Sequence, residues 1–220
     1  MTETPARADS AHRPAAGNGV PRAPNKVAAV GVFFWIAKVV LTSAGDLSGD
    51  ALSIALHLGY VLALLVAAAV FLPLLVVQFN ARRFMPALYW SLIFSASTVG
   101  AEISDSLDRA LHWGNPLGTA VLLGGTLVAL ASWRVNRGSL RVSRVHSRQD
   151  EGYYWLAVLC TSSLGSALGD LVGDKLGVGV LGGTALNAGV LLGLWALSLI
   201  RRAPRELLFW VAFAVSRVPF

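Results

Sequence analysis

The chain has 220 residues, of which 55% are hydrophobic and only 14% are charged, and its mean hydropathy is +0.62. A soluble globular protein carries about 25% charged residues, so the composition excludes an ordinary soluble domain and predicts an all-α, polytopic membrane protein. The net charge of +6 is spread over several short connectors, and this distribution argues against nucleic acid as a partner.

The amino-terminal segment is rich in Ala, Pro, Arg and polar residues and has no apolar periodicity. Such a segment cannot bury enough apolar surface to fold, so we predict a disordered cytoplasmic tail over residues 1–26. It lacks the apolar core of a signal peptide. The first apolar segment begins near Val27, and we expect it to be a retained membrane span.

Apolar segments long enough to cross a bilayer core of about 30 Å recur along the rest of the chain. Short polar or basic connectors separate them. The segments are residues 28–53, 57–79, 86–108, 116–133, 153–173 and 178–200, with a seventh that begins at 206. The sequence therefore predicts six complete spans and a partial seventh.

Basic residues are concentrated in the tail and in every second connector, which together hold fourteen of the eighteen Lys and Arg residues. Short basic loops stay in the cytoplasm. The amino terminus and these connectors are therefore predicted to lie inside the cell, and each pair of spans turns outside.

One pattern returns along the chain: a tryptophan, a hydroxyl pair seven and eight residues later, a glycine at plus ten and an aspartate at plus fifteen. We expect the tryptophans and glycines to serve as repeat anchors and packing positions. The tryptophans are Trp35, Trp90, Trp155 and Trp210, the glycines are Gly45, Gly100 and Gly165, and the aspartates are Asp50, Asp105 and Asp170.

Fixed-period repetition is typical of a tandem repeat protein. Each copy holds two spans, so all copies have the same orientation and form parallel two-helix repeats around an axis along the membrane normal. The predicted units are repeat 1 at 27–80, repeat 2 at 81–135, a cytoplasmic basic loop at 136–151, repeat 3 at 152–202 and a partial repeat 4 at 203–220.

Acidic residues lie within the first helix of each copy, at a depth where a charge costs a few kcal/mol and should face the bundle interior. Lys38, Arg109 and Lys175 are the candidate ion-pair partners. His57 and His112 fall two helical turns beyond their aspartates, on the same face of a continuous helix. The candidate cation- or proton-binding residues are Asp46, Asp50, Glu102, Asp105, Asp170 and Asp174.

Recognisable catalytic motifs are absent from the sequence: there is no P-loop, HExxH, Gly-x-Ser-x-Gly or Cys/His cluster. We therefore expect no enzymatic activity and no cofactor. Carboxylates alone suit hard cations such as Mn²⁺, Mg²⁺ or Ca²⁺, but with little specificity, so a metal ligand stays open. Cys160 is the one cysteine and cannot form an intramolecular disulfide.

Several stretches carry a family resemblance: Phe-Trp-x-x-Lys from Phe34, Thr-Ser-x-Gly-Asp-x-x-x-Asp from Thr42, and the aromatic pairs that end at the later tryptophans. They resemble a bacterial family of uncharacterised membrane-anchored proteins with four tandem two-span repeats of unknown function. The resemblance implies eight spans in the plasma membrane and one characteristic tryptophan per repeat. The chain ends at Phe220, inside the seventh span, so we expect a fragment truncated in repeat 4.

Two functional hypotheses follow. In the first, the repeats surround a carboxylate-lined interior that binds or transports a cation or a proton. In the second, the protein is structural or sensory, has no transport activity, and its acids only help the helices to pack. In both cases the lipid bilayer is a partner, and homo-oligomerisation stays open.

Overall fold

The computed structural model describes residues 26–145, 147–176, 179–200 and 203–216, although the side chains of residues 144 and 174–181 lie outside the described part. Every regular element in these ranges is helical, which confirms the all-α prediction. The helices are α1 (Val32–Asp50), α2 (Tyr60–Asn80), α3 (Pro86–Asp105), α4 (Asn115–Arg137), α5 (Arg148–Leu176), α6 (Gly179–Ser198) and α7 (Arg205–Val215).

Among the residues that the structure describes, four helical segments are long and apolar enough to cross a membrane, compared with six complete spans predicted from the sequence. They are Val32–Ala55, Tyr60–Asn80, Asn115–Arg137 and Arg148–Gly173. Helix α3 is less apolar than these four segments. It lies inside the bundle, against α1, α2 and α5, and most of its residues are buried, so it does not need an apolar surface towards lipid. Its hydroxyl and acidic side chains therefore face protein instead of lipid.

The first helices of the repeats form the inner layer of the molecule. Helix α3 packs between α1 and α5, and α5 packs against α7. Phe34 of α1 contacts Phe209 and Phe213 of α7, which closes the inner helices into a ring. The return helices lie outside, and each packs on the inner helix that follows it in the chain: α2 on α3, α4 on α5 and α6 on α7.

The outer turns of the first two repeats share one backbone geometry. Directly after Asp50 and Asp105 the helix widens into a π-helical turn, at Ala51–Ala55 and Ser106–Ala110. Gly59 and Gly114 then precede the return helices with φ angles of 73° and 76°, a conformation that glycine adopts at little cost. These two glycines therefore permit the turn.

The two histidines do not continue the helix, contrary to expectation. His57 and His112 lie after the π-helical turns with φ angles of 55° and 57°, in the left-handed region that non-glycine residues seldom occupy. A histidine outside the helix no longer shares a face with the aspartate seven residues earlier. The prediction that each histidine shares a face of a continuous helix with its aspartate is therefore wrong.

The end of the bundle at which the tryptophans lie is held together by ion pairs between distant parts of the chain. Glu151, which is 1% exposed, accepts hydrogen bonds from Lys26 Nζ at 3.0 Å and Gln78 Nε2 at 2.9 Å. Arg141 Nε donates to Glu206 at 2.9 Å. These contacts join the segment before α1 and the end of α2 to the start of α5, and the α4–α5 connector to α7.

Candidate functional site

Each inner helix carries a second aromatic residue immediately before its tryptophan. The ring of this residue packs against the tryptophan of the next inner helix, and the last pair packs back onto the first. The four contacts, between ring centroids, are Phe34–Trp90 at 5.8 Å, Tyr89–Trp155 at 5.6 Å, Tyr154–Trp210 at 6.0 Å and Phe209–Trp35 at 5.6 Å. We call these eight residues the aromatic collar.

The aromatic collar closes one end of the inner ring. The separations lie in the 4.5–7 Å range in which aromatic pairs attract each other. The sequence predicts the tryptophans as anchors, whereas the aromatic residue before each of them enters only as part of the family resemblance and not as a packing partner. The repeated Phe-Trp or Tyr-Trp dipeptide was a sequence signal that could have identified them.

Within the aromatic collar, the Tyr89 and Tyr154 hydroxyls lie 2.5 Å apart and both side chains are fully buried. We expect Tyr89→Phe or Tyr154→Phe to lower the free energy of unfolding by about 1–3 kcal/mol, because each leaves a buried hydroxyl without its partner. The double variant should lose less than the sum of the two single losses. A double-mutant cycle of thermal unfolding in detergent measures this, and additive losses would contradict it.

Below the aromatic collar, Lys38 is 1% exposed. Its Nζ donates to Phe213 O and Ser216 Oγ, each at 2.6 Å, and lies 4.5 Å from the Phe213 ring centroid. Carbonyl oxygens at the end of a helix favour a cation. Lys38 therefore does not snorkel to the membrane interface; it joins α1 to the end of α7.

Two of the glycines at plus ten, Gly45 and Gly100, lie where inner helices approach each other closely. A Cβ atom at Gly45 would lie 2.7 Å from Phe94 O, and one at Gly100 would lie 2.8 Å from Ser163 N. Each glycine of one copy thus meets the hydroxyl-bearing segment of the next copy. Small residues at such crossings let helix backbones pack tightly in membranes. Gly165 lines an apolar cavity of about 150 Å³ between α5 and α6.

The opposite end of the inner ring carries the acids. Glu102 of α3 is completely buried, and neither of its carboxylate oxygens has a hydrogen-bond partner among the described residues. It lies against Gly49 of α1, where a Cβ atom would be 3.0 Å from Oε1. Ser53 is its neighbour, but the Ser53 hydroxyl donates to Gly49 O at 3.0 Å.

The predicted aspartates of three inner helices act on one another around Asp105. Asp105 is 6% exposed, and Asp50 of α1 and Asp170 of α5 both lie within electrostatic range of it. Asp50 and Asp105 also influence Glu102. We call Asp50, Glu102, Asp105 and Asp170 the carboxylate cluster.

Asp46, another predicted acid, stands apart from the carboxylate cluster. Asp46 lies one turn nearer to the aromatic collar, where its Oδ1 accepts a hydrogen bond from Ser166 Oγ of α5 at 3.2 Å. This contact links α1 with α5. The side chains of Asp174 and of its predicted partner Lys175 lie outside the described part of the structure.

Three segments of the chain, residues 33–84, 88–139 and 153–203, match the family described as Repeat of Unknown Function (DUF347). The chain belongs to this family. Each DUF347 match contains one inner helix and the return helix that follows it, and α7 lies beyond the third match. No curated protein and no solved structure shows significant similarity to the chain.

Two of the positions at which the DUF347 copies differ in charge carry a cation in one copy. Lys38 stands three residues after its tryptophan, where the next two copies have Ile93 and Val158. Arg109 stands nineteen residues after its tryptophan, where the first and third copies have Ile54 and Asp174. The buried cation and the arginine near the carboxylate cluster are therefore features of single copies and not of the repeat.

The residues of the carboxylate cluster interact through their charges and do not form a geometric metal site. Among the described residues, no three His, Cys, Asp or Glu side chains are placed to share a metal ion. Several carboxylates that act on one region from separate helices can still take up a proton or attract a hydrated cation, because rings of acidic side chains favour cations.

Proposed function

We propose that this DUF347 protein is an integral protein of the bacterial plasma membrane, with its amino terminus in the cytoplasm, that binds and transports a proton or a small cation. The helices that are long and apolar enough to span a membrane support the membrane assignment. The basic connectors at the aromatic end of the bundle support the orientation, since such loops stay inside.

The buried carboxyl group of Glu102 is the observation that carries the proposal. A carboxylate without hydrogen bonds in an apolar interior is strongly disfavoured, and it either takes a proton or holds a cation. Exchange of that proton or cation is then the chemistry available to the group. Asp50 and Asp105 increase the negative potential around it, which favours uptake of positive charge.

The aromatic collar and Lys38 indicate from which end of the bundle an ion would enter. Asp50 is exposed and Asp46 is half-buried, whereas Lys38 and most of the collar are buried. An ion would therefore reach the carboxylate cluster from the outer end, and the aromatic end would have to rearrange before it could pass. The contacts that would change are the four aromatic pairs.

We extend the proposal to a fourth repeat that begins with α7. Phe209 and Trp210 of α7 complete the aromatic collar by packing against Trp35 and Tyr154. The same pairs in the other copies belong to matched repeats. A ring in which four equivalent aromatic contacts close on themselves is the arrangement that four repeats around one axis would produce.

A structural or sensory role is the second candidate. It is favoured by contacts in which acids already have partners within the protein: Asp46 with Ser166 between α1 and α5, and Asp105 with Arg109 one turn further along the same helical segment. In that case the carboxylate cluster would need no ligand. A melting temperature that does not change with added cations would be its signature, because a ligand of the folded state stabilises it.

Glu102→Gln tests the transport proposal, because it removes the charge and keeps the size of the side chain. We expect it to abolish proton-coupled or cation flux into proteoliposomes, measured with an internal pH dye and with radioactive Na⁺, K⁺ and Mn²⁺ in separate runs. Glu206→Gln is the matched control, since Glu206 pairs with Arg141 at the opposite end. Wild-type flux in a folded Glu102→Gln variant would refute the proposal.

A further inference from the structure

Arg109 lies beside the carboxylate cluster, in the π-helical turn Ser106–Ala110. Its Nη1 is 3.6 Å from Asp105 Oδ2 and 3.4 Å from the Tyr60 hydroxyl oxygen. Its guanidinium carbon lies 5.5 Å from the centre of the Tyr60 ring, a separation at which a cation is attracted to an aromatic face. A positive charge therefore already occupies the outer side of Asp105.

The contact between Arg109 and Asp105 is loose. A single atom pair at 3.6 Å is longer than a charge-assisted hydrogen bond, and the bidentate geometry of strong arginine–carboxylate pairs is not formed. The Arg109 side chain is 41% exposed, whereas that of Asp105 is 8% exposed. The arginine can therefore withdraw towards solvent while the carboxylate stays in place.

The repeat comparison shows that this position has no packing requirement for arginine. The equivalent Ile54 in the first copy is 50% exposed, and the third copy has an acid there. Asp170 of α5 also acts electrostatically on Arg109. The one cation in this outer turn thus faces carboxylates from two inner helices and is held most closely by Tyr60.

We propose that Arg109 is a specificity-determining residue: a tethered cation that occupies Asp105 and that an incoming cation must displace. The inference rests on the proposed function, because competition requires that the carboxylate cluster binds a cation. Arg109 then sets the concentration at which that cation binds, and it screens the cluster against weakly bound ions.

The test titrates the purified full chain in detergent with NaCl, KCl or MnCl₂ in turn, at constant ionic strength maintained with N-methyl-D-glucamine chloride, and follows the melting temperature. In Arg109→Gln we expect the midpoint for the bound cation to fall by about tenfold, equivalent to about 1.4 kcal/mol. Tyr60→Phe should shift it less, in the same direction. When Arg109→Gln is combined with Asp105→Asn, this fall in the midpoint concentration should vanish.

Arg83→Gln is the matched control, since Arg83 is exposed in the α2–α3 connector at the opposite end, and its midpoint should equal that of the wild type. An unchanged or higher midpoint in both Arg109→Gln and Tyr60→Phe overturns the role of Arg109 and leaves the proposed function standing. If no cation stabilises the wild type or either variant, and no flux is measured, both proposals fail together.

Discussion

Gly100→Val is expected to prevent the inner helices from assembling. A Cβ atom at Gly100 would lie 2.8 Å from Ser163 N and 2.9 Å from Ser162 Cβ, and the first of these is a backbone atom that cannot rotate away. Valine would therefore force α3 and α5 apart along their contact. We expect a loss of more than about 3 kcal/mol, beyond the usual range for an overpacked site, measured as thermal unfolding in detergent.

Gly124→Val is the matched control for this change. Gly124 is also a helical glycine, but it is exposed on α4 and a Cβ atom there would meet nothing within 4 Å. Its melting temperature should stay close to that of the wild type. If Gly100→Val melted at the same temperature as Gly124→Val, the close α3–α5 crossing would not be a determinant of stability.

Trp155→Ala is expected to lower the free energy of unfolding by about 3–5 kcal/mol, the usual range for a buried tryptophan. Trp155 is 2% exposed and contacts Tyr89 and Tyr154 within the aromatic collar. Its Nε1 has no hydrogen-bond partner among the described residues, so the loss comes from packing and from the cavity left behind. Thermal unfolding in detergent measures it.

Trp195→Ala provides the comparison, because Trp195 lies on α6 and is 63% exposed. A change at such a position usually alters stability by no more than about 0.5 kcal/mol. Equal losses in the two variants would show that the aromatic collar contributes no more than a tryptophan on the outer surface. A selective loss in Trp155→Ala would identify the collar as the element that closes the inner ring.

The carboxylate cluster connects these structural features with the proposed function. Glu102 lies on α3, most of whose residues are buried; Asp50 of α1 acts on both Glu102 and Asp105, and Asp170 of α5 acts on Asp105. The close helix crossings at Gly45 and Gly100 bring α1 and α5 near enough to α3 for these acids to interact. Changes at Gly100 and at Glu102 should therefore differ in kind: the first should remove the fold, and the second should remove binding while the fold persists.

The helices and their repetition could be predicted from the sequence because both depend on local properties. Apolar length indicates spans, and the recurring tryptophan, glycine and aspartate indicate equivalent helices. The same local pattern failed at His57, where a continuous helix was expected. The chain leaves the helix there through a π-helical turn, and the hydrophobic pattern carries no signal for that turn.

The partners of the charged residues could not be predicted, because they lie on helices far apart in the chain. The sequence suggested an acid as the partner of Lys38, yet its ammonium group donates to Phe213 O and the Ser216 hydroxyl at the end of α7, a helix that starts 167 residues later. The sequence does not separate Glu102 from the five other candidate acids. Only the packing of α1 on α3 shows that it is fully buried.

By itself, the sequence determined that this is an all-helical repeat protein with apolar spans, and it determined which residues are equivalent between copies, because composition and periodicity are properties of the chain. The tertiary structure alone decided that the repeats close into a ring through the aromatic collar, and that Asp50, Glu102, Asp105 and Asp170 act on one region. The physical reason is that burial and electrostatic range depend on distances between helices, which the close approach at Gly45 and Gly100 sets.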